Sequence, residues 1–91
     1  MMTKAQCEAI EQLATRLGAL QTRYMNGIDR YEKEGDEKKL AYCERRLDLI
    51  DARIGGMKDV LEALGYRLYY LREDDSYRLY HWNSDKQEFV R

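Results

Sequence analysis

The stretch that decides the fold is Leu61–Trp82, "LEALGYRLYYLREDDSYRLYHW". Up to Leu64 the apolar residues fall at helical spacing. Beyond Gly65 they alternate with polar ones. Steps of three and four put side chains on one face of a helix, whereas strict alternation puts them on one face of a strand. Gly65 therefore marks the end of a helix and the start of a sheet. "YRLYYLR" and "SYRLYHW" flank the acidic "EDD", which reads as a hairpin. "NSDK" at 83–86 is a second turn signal, and "QEFV" at 87–90 a short third strand.

Upstream of Leu61 the helical period runs unbroken through Leu40, Cys43, Leu47, Ile50, Ile54 and Met57, and on to Leu64. This is a seam of a and d positions. Gly55 and Gly56 interrupt the outer face of that helix, where they kink it or let another group approach its backbone. The first helix opens at Thr3, with Gln6 at capping-box spacing. Its seam is Ile10, Leu13, Leu17, Leu20, Tyr24 and Tyr31, with Gly27 in the remaining slot. Gly35 suits a left-handed helix stop, and Asp36 the next N-cap. So short a connection makes the helices antiparallel neighbours. The expected fold is α+β and one domain. An antiparallel two-helix coiled-coil hairpin, with helices at 3–34 and 36–64, precedes a β-hairpin or three-stranded antiparallel meander over 66–91.

A tight turn at Asp74-Asp75 would pair Arg72 with Tyr77, Tyr70 with Leu79 and Tyr69 with Tyr80. A tight turn at Ser84-Asp85 would pair Tyr80 with Phe89 and Leu79 with Val90. One sheet face then carries Tyr66, Leu68, Tyr70, Tyr77, Leu79 and Val90. The other carries Arg67, Tyr69, Leu71, Arg78, Tyr80, Trp82, Phe89 and Arg91. The first, more aliphatic face is expected to pack on the helices, leaving the second as an aromatic surface edged by arginine. The competing expectation is that a second protomer covers that face. A slip of one residue would exchange the two faces.

Heptad lettering exposes a second surface. The g positions are Arg16, Arg23 and Arg30 on the first helix, and Lys39, Arg46 and Arg53 on the second. In an antiparallel pair these line one flank. Arg30 has Glu34 four residues on and Lys39 has Asp36 three residues back, but Arg16, Arg23, Arg46 and Arg53 have no acid at pairing distance. Two readings follow: a ridge for phosphates or an acidic protein surface, or arginine stems that cover the seam with their heads in water.

Composition narrows the function. Charged residues make up 36% and hydrophobic residues 44% of the 91, and the net charge is −1. That is too apolar and too patterned for disorder, and it gives no global field to draw in nucleic acid or a membrane. No apolar run approaches the ~20 residues of a membrane span. The N-terminus lacks the apolar core of a signal peptide, and Cys7 and Cys43 are expected to be free thiols of a cytoplasmic protein. No cysteine–histidine set has zinc spacing, "EDD" lacks the ligand pattern of a calcium loop, and no phosphate-binding glycine motif occurs. His81, the single histidine, is expected opposite Glu88 as a surface pair. The expectation is a protein that is not an enzyme and uses no metal or cofactor.

Arginine, tyrosine and tryptophan dominate the energetics of protein interfaces. The candidate partner-binding residues are therefore Arg16, Arg23, Arg46 and Arg53 on the helices, and Arg67, Tyr69, Arg78, Tyr80 and Trp82 on the sheet. In size and catalytically empty design the chain resembles the small stoichiometric inhibitors carried by phages and mobile elements, anti-CRISPR proteins among them. That resemblance implies binding to a bacterial protein as the whole mechanism. The alternative is a nucleic-acid-binding protein, with arginines on phosphates and aromatic rings on bases. A homodimer that buries Met25, Ile28, Leu49 and Val60 is a further expectation.

Overall fold

The computed structural model describes residues 2–91. Helix α1 spans Lys4–Glu34 and α2 spans Glu37–Ala63. Strands β1 (Tyr66–Leu71), β2 (Ser76–Asn83) and β3 (Glu88–Val90) form one antiparallel sheet with β2 in the centre. The α+β class, the helical hairpin and the meander are those the sequence implies.

Each boundary has a local cause. The Thr3 hydroxyl accepts from the Gln6 amide at 3.1 Å, and the Gln6 side chain accepts from the Thr3 amide at 2.8 Å. This reciprocal pair satisfies two donors that a helix start leaves free. At the other end Gly35 takes φ 71°. That left-handed backbone lets the Gly35 and Asp36 amides reach back to the Glu32 and Tyr31 carbonyls, and a side chain there would be strained. Asp36 then caps α2 by accepting from the Lys39 amide at 3.2 Å.

The core has two parts. Ala14, Leu61, Tyr66, Leu68, Tyr77 and Leu79 join the helices to the sheet. Leu17, Ile50 and Ile54 join the helices to each other, and Met57 packs against both groups. Fully burying one such aliphatic side chain contributes about 1.5–3 kcal/mol. The aliphatic sheet face is the one that packs inward, as its composition implies.

Cross-strand register differs from expectation by two residues in both hairpins. Leu68 pairs with Leu79, Tyr70 with Tyr77 and Arg67 with Tyr80, while Trp82 pairs with Phe89 and His81 with Val90. The loops take four residues each, Arg72–Asp75 and Ser84–Gln87, rather than two. Asp75 and Gln87 both stand at φ 51°, so each loop closes through a left-handed residue next to the following strand. His81 accordingly lies opposite Val90 and not Glu88. An even shift leaves every strand residue on its face, which is why the faces survive the error; Arg91, expected on the outer face, lies past the end of β3 and turns back to pair with Glu11 on α1.

Leu13, expected in the seam, is 42% exposed, and Glu11 and Ala14 are buried in its place. The sheet explains the rotation. Strand β3 pairs only with His81–Asn83, so the edge of β2 at Tyr77 and Leu79 is open. Thr15 accepts from the Tyr77 amide at 3.0 Å, and Glu11 accepts from the Leu79 amide at 2.7 Å. One face of α1 thus completes the hydrogen bonding of a sheet edge. Gly18 makes room for the Tyr77 ring, whose Cε2 would lie 3.0 Å from a Cβ at that position.

The hairpin overshoots the sheet. The molecule measures 55 × 25 × 23 Å, and between Leu20 and Leu49 the only buried residue is Cys43. There Gly27 lets the helices close, since a Cβ would stand 2.9 Å from the Cys43 sulfur. Gly55 and Gly56 need no such room: α2 runs straight through them, and nothing lies within 4 Å of a Cβ at either. Gly55→Ala and Gly56→Ala should each raise stability by roughly 0.5–1 kcal/mol, the difference in helix propensity. Urea unfolding would show the midpoint rising with an unchanged slope.

Candidate docking surface

The outer face of the sheet is built by alternation along β1 and β2. Because Arg67 pairs with Tyr80 and Trp82 with Phe89, these side chains stand in register away from the helices. The Tyr69 and Tyr80 rings meet edge to face with centroids 5.1 Å apart, and Trp82 and Phe89 do so at 5.2 Å. The Arg67 guanidinium lies 4.3 Å from the centre of the Phe89 ring, and Arg67 stands opposite Tyr80 in the strand pairing. Edge-to-face pairs contribute about 0.5–1.5 kcal/mol beyond area burial, and an exposed cation–aromatic contact about 0.5–1 kcal/mol. The strip from Tyr69 through Tyr80, Arg67 and Phe89 to Trp82 is therefore held in shape by its own contacts. It is also open: Tyr69 is 39% and Trp82 47% exposed.

Arg78 does not join this strip. Its guanidinium bends round the open edge of β2, donating to the Ser76 hydroxyl at 3.1 Å and pairing with Asp74 at 3.3 Å. It lines a groove there with Thr15 and Arg16. The structure thus brings Arg16 near Arg78.

Arg23 and Arg46 meet around Tyr24 on the part of the hairpin beyond the sheet. The Arg46 guanidinium lies 5.8 Å from the Tyr24 ring centre, and Tyr42 meets Tyr24 edge to face at 6.2 Å. The Arg46 guanidinium beside it, then the Tyr42 hydroxyl, holds the Tyr24 phenol below the usual tyrosine range, with the charge of Arg23 adding to the effect. Tyr70 behaves oppositely. Its phenol donates to the Asp75 carboxylate, and ionisation would set two anions together, so its pKa is raised. In an NMR pH titration Tyr24 should ionise before Tyr70. Arg46→Met should return Tyr24 towards the ordinary tyrosine value and leave Tyr70 unmoved.

Arg53 is exposed and, like Arg16, Arg23 and Arg46, forms no ion pair among the described residues. Arg30 and Lys39 do, with Glu34 and Asp36.

A feature that sequence spacing did not reveal is a cleft lined by Cys7, Glu11, His81 and Arg91. The Glu11 carboxylate, only 11% exposed, takes Arg91 at 3.0 Å as well as the Leu79 amide. No hydrogen bond joins the Cys7 thiol to the imidazole, so among the described residues the cleft holds no assembled nucleophile–base pair. Both cysteines are free thiols. Among the described residues no acidic, histidine or cysteine cluster could hold a metal ion, and no helix is long and apolar enough to cross a membrane. Comparison with family models, with curated proteins and with solved structures gives no match for this chain.

Proposed function

We propose that this protein is a protein-binding module whose sheet presents the docking surface, and that stoichiometric occlusion of a partner's surface is its activity. The observation that carries the reading is the exposed Tyr69–Tyr80–Arg67–Phe89–Trp82 strip. Interface hot spots are enriched in these residue types. Side chains fixed before binding lose less conformational entropy on docking.

Direct nucleic-acid binding is the second reading, favoured by the same rings and by the unpaired arginines. The net charge of −1 weighs against it, because nucleic-acid modules depend on a basic excess. Edge-to-face neighbours and a guanidinium already pack against rings of the strip and compete with base stacking there. Trp82 is the only tryptophan and sits on the strip, so its fluorescence reports on this surface alone. Titration with oligothymidylate and short RNA at 50 and 200 mM salt should leave that emission unchanged. Quenching at micromolar concentration that fades steeply with salt would replace protein binding by nucleic-acid binding.

A further inference from the structure

The sheet covers one flank of the helical hairpin and leaves the other bare. Ala14 packs into the sheet-side core, and the Lys58 ammonium lies 5.8 Å from the Tyr77 ring centre. Asp51 is close enough to help raise the pKa of Tyr77, although burial is the larger cause. All three residues occupy e positions of the two heptads. Beyond Arg16, which lines the groove at the sheet edge, the g flank therefore faces away from the sheet. It carries Arg23, Arg46 and Arg53, which have no ion-pair partner among the described residues. Towards the open end of the hairpin it also carries Leu13, Val60 and Leu64, which are 42%, 61% and 62% exposed. Leu13 and Leu64 belong to the d layer of the seam, uncovered because the helices turn their opposite side to the sheet.

We infer that this flank docks an amphipathic helix of a protein partner, apolar on one stripe and acidic beside it. A third helix would cover the open d layer with its apolar stripe, as in a three-helix bundle. Its acids would meet the arginines. On each helix of the hairpin the g positions recur every seven residues, about 10.5 Å along the axis, and a helix with one acid per heptad has the same repeat. Nucleic acid fits less well. The tyrosines on this flank already hold cations over their rings, Tyr24 that of Arg46, and Tyr31 those of Arg30 and Lys39 at 5.5 Å each, and these cations compete with base stacking.

The inference uses none of the sheet-face residues, so it stands or falls separately from the reading of the strip. Its test uses a 21-residue helical peptide with leucine at every a and d position and glutamate at every g. A second peptide has the same composition with the glutamates moved to the far side, and a 20-mer of oligothymidylate completes the set. Calorimetry at 50 mM salt should show the in-phase peptide binding at least tenfold tighter than either other probe. Arg23→Glu/Arg53→Glu and, separately, Val60→Asp should each weaken it at least tenfold. Arg45→Glu, a charge reversal off the flank, and Tyr80→Ser/Trp82→Ser should leave it unchanged. These are exposed or half-exposed sites, and circular dichroism would confirm that each variant folds. No binding, equal affinity for both peptides, or tighter binding of the oligonucleotide would overturn the inference.

Discussion

Glu11→Ala is expected to destabilise the protein by roughly 2–3 kcal/mol, because it leaves a buried main-chain donor without a partner. The Glu11 carboxylate accepts from the Leu79 amide at 2.7 Å, at a point where β2 has no neighbouring strand. Leu79 is 5% exposed, so water does not readily replace the lost acceptor. The bond to Arg91 contributes less, since that side chain is 54% exposed and solvent screens the pair. Glu11→Gln keeps an acceptor and should cost about 1 kcal/mol. Arg91→Ala should cost less still. For a chain of this size 2–3 kcal/mol corresponds to a melting point lower by roughly 10–20 °C. A thermal scan of the three variants checks the order. Equal effects for Glu11→Ala and Arg91→Ala would show that the ion pair, not the capped strand edge, is what matters.

Leu79→Ala is expected to have the largest effect of any single truncation, about 3–4 kcal/mol. Its side chain sits mid-strand opposite Leu68, in the cluster that joins both helices to the sheet. Deleting a buried leucine loses its transfer free energy and leaves a cavity. A domain of about ninety residues holds roughly 5–13 kcal/mol in total, so about a quarter of the stability or more would go. Leu49→Ala on the outer side of α2, where Leu49 is 56% exposed, should change stability by less than about 0.5 kcal/mol. Denaturant melts of the pair give the comparison directly. A small effect at Leu79 would mean that the sheet packs on the helices far more loosely than its burial implies.

Both positions show what the sequence made legible. The helix caps at Thr3, Gly35 and Asp36 could be read because each depends on a few adjacent residues. The inward sheet face could be read because alternation survives any even register shift. The register itself could not. Neither hairpin carries an asparagine–glycine or aspartate–glycine pair, and the four-residue loops close at positive φ through Asp75, one of several acids in its turn, and Gln87, a residue type that gives no such signal. The capped edge of β2 was also hidden, because it is a contact between residues 68 apart in sequence. A partial signal exists: Glu11 and Thr15 stand four apart on a helix face that also carries Ala14 and Gly18, an acceptor pair beside residues small enough to let a strand approach. The same contact turns α1 and exposes Leu13, an outcome that the heptad pattern of α1 alone does not contain.

Of the candidate residues, the structure places Arg67, Tyr69, Tyr80 and Trp82 on one strip, with Phe89 among them. It places Arg23 and Arg46 around Tyr24, and turns Arg78 to the strand edge near Arg16. Alternation specified the strip, because it needs only the side-chain period. The division among the arginines depends on where the sheet ends and the bare hairpin begins, which is set by tertiary packing.

One capture experiment tests the strip's role in docking most directly. Wild-type protein and the Tyr80→Ser/Trp82→Ser variant would be immobilised at equal density and exposed to nuclease-treated lysate of the native host. The retained proteins would then be quantified, and any that differ would be purified and titrated. The expected result is a protein held by the wild type in a one-to-one complex, unaffected by nuclease, and at least a hundredfold weaker on the variant. Material that vanishes with nuclease, or a partner held equally by both baits, would contradict it.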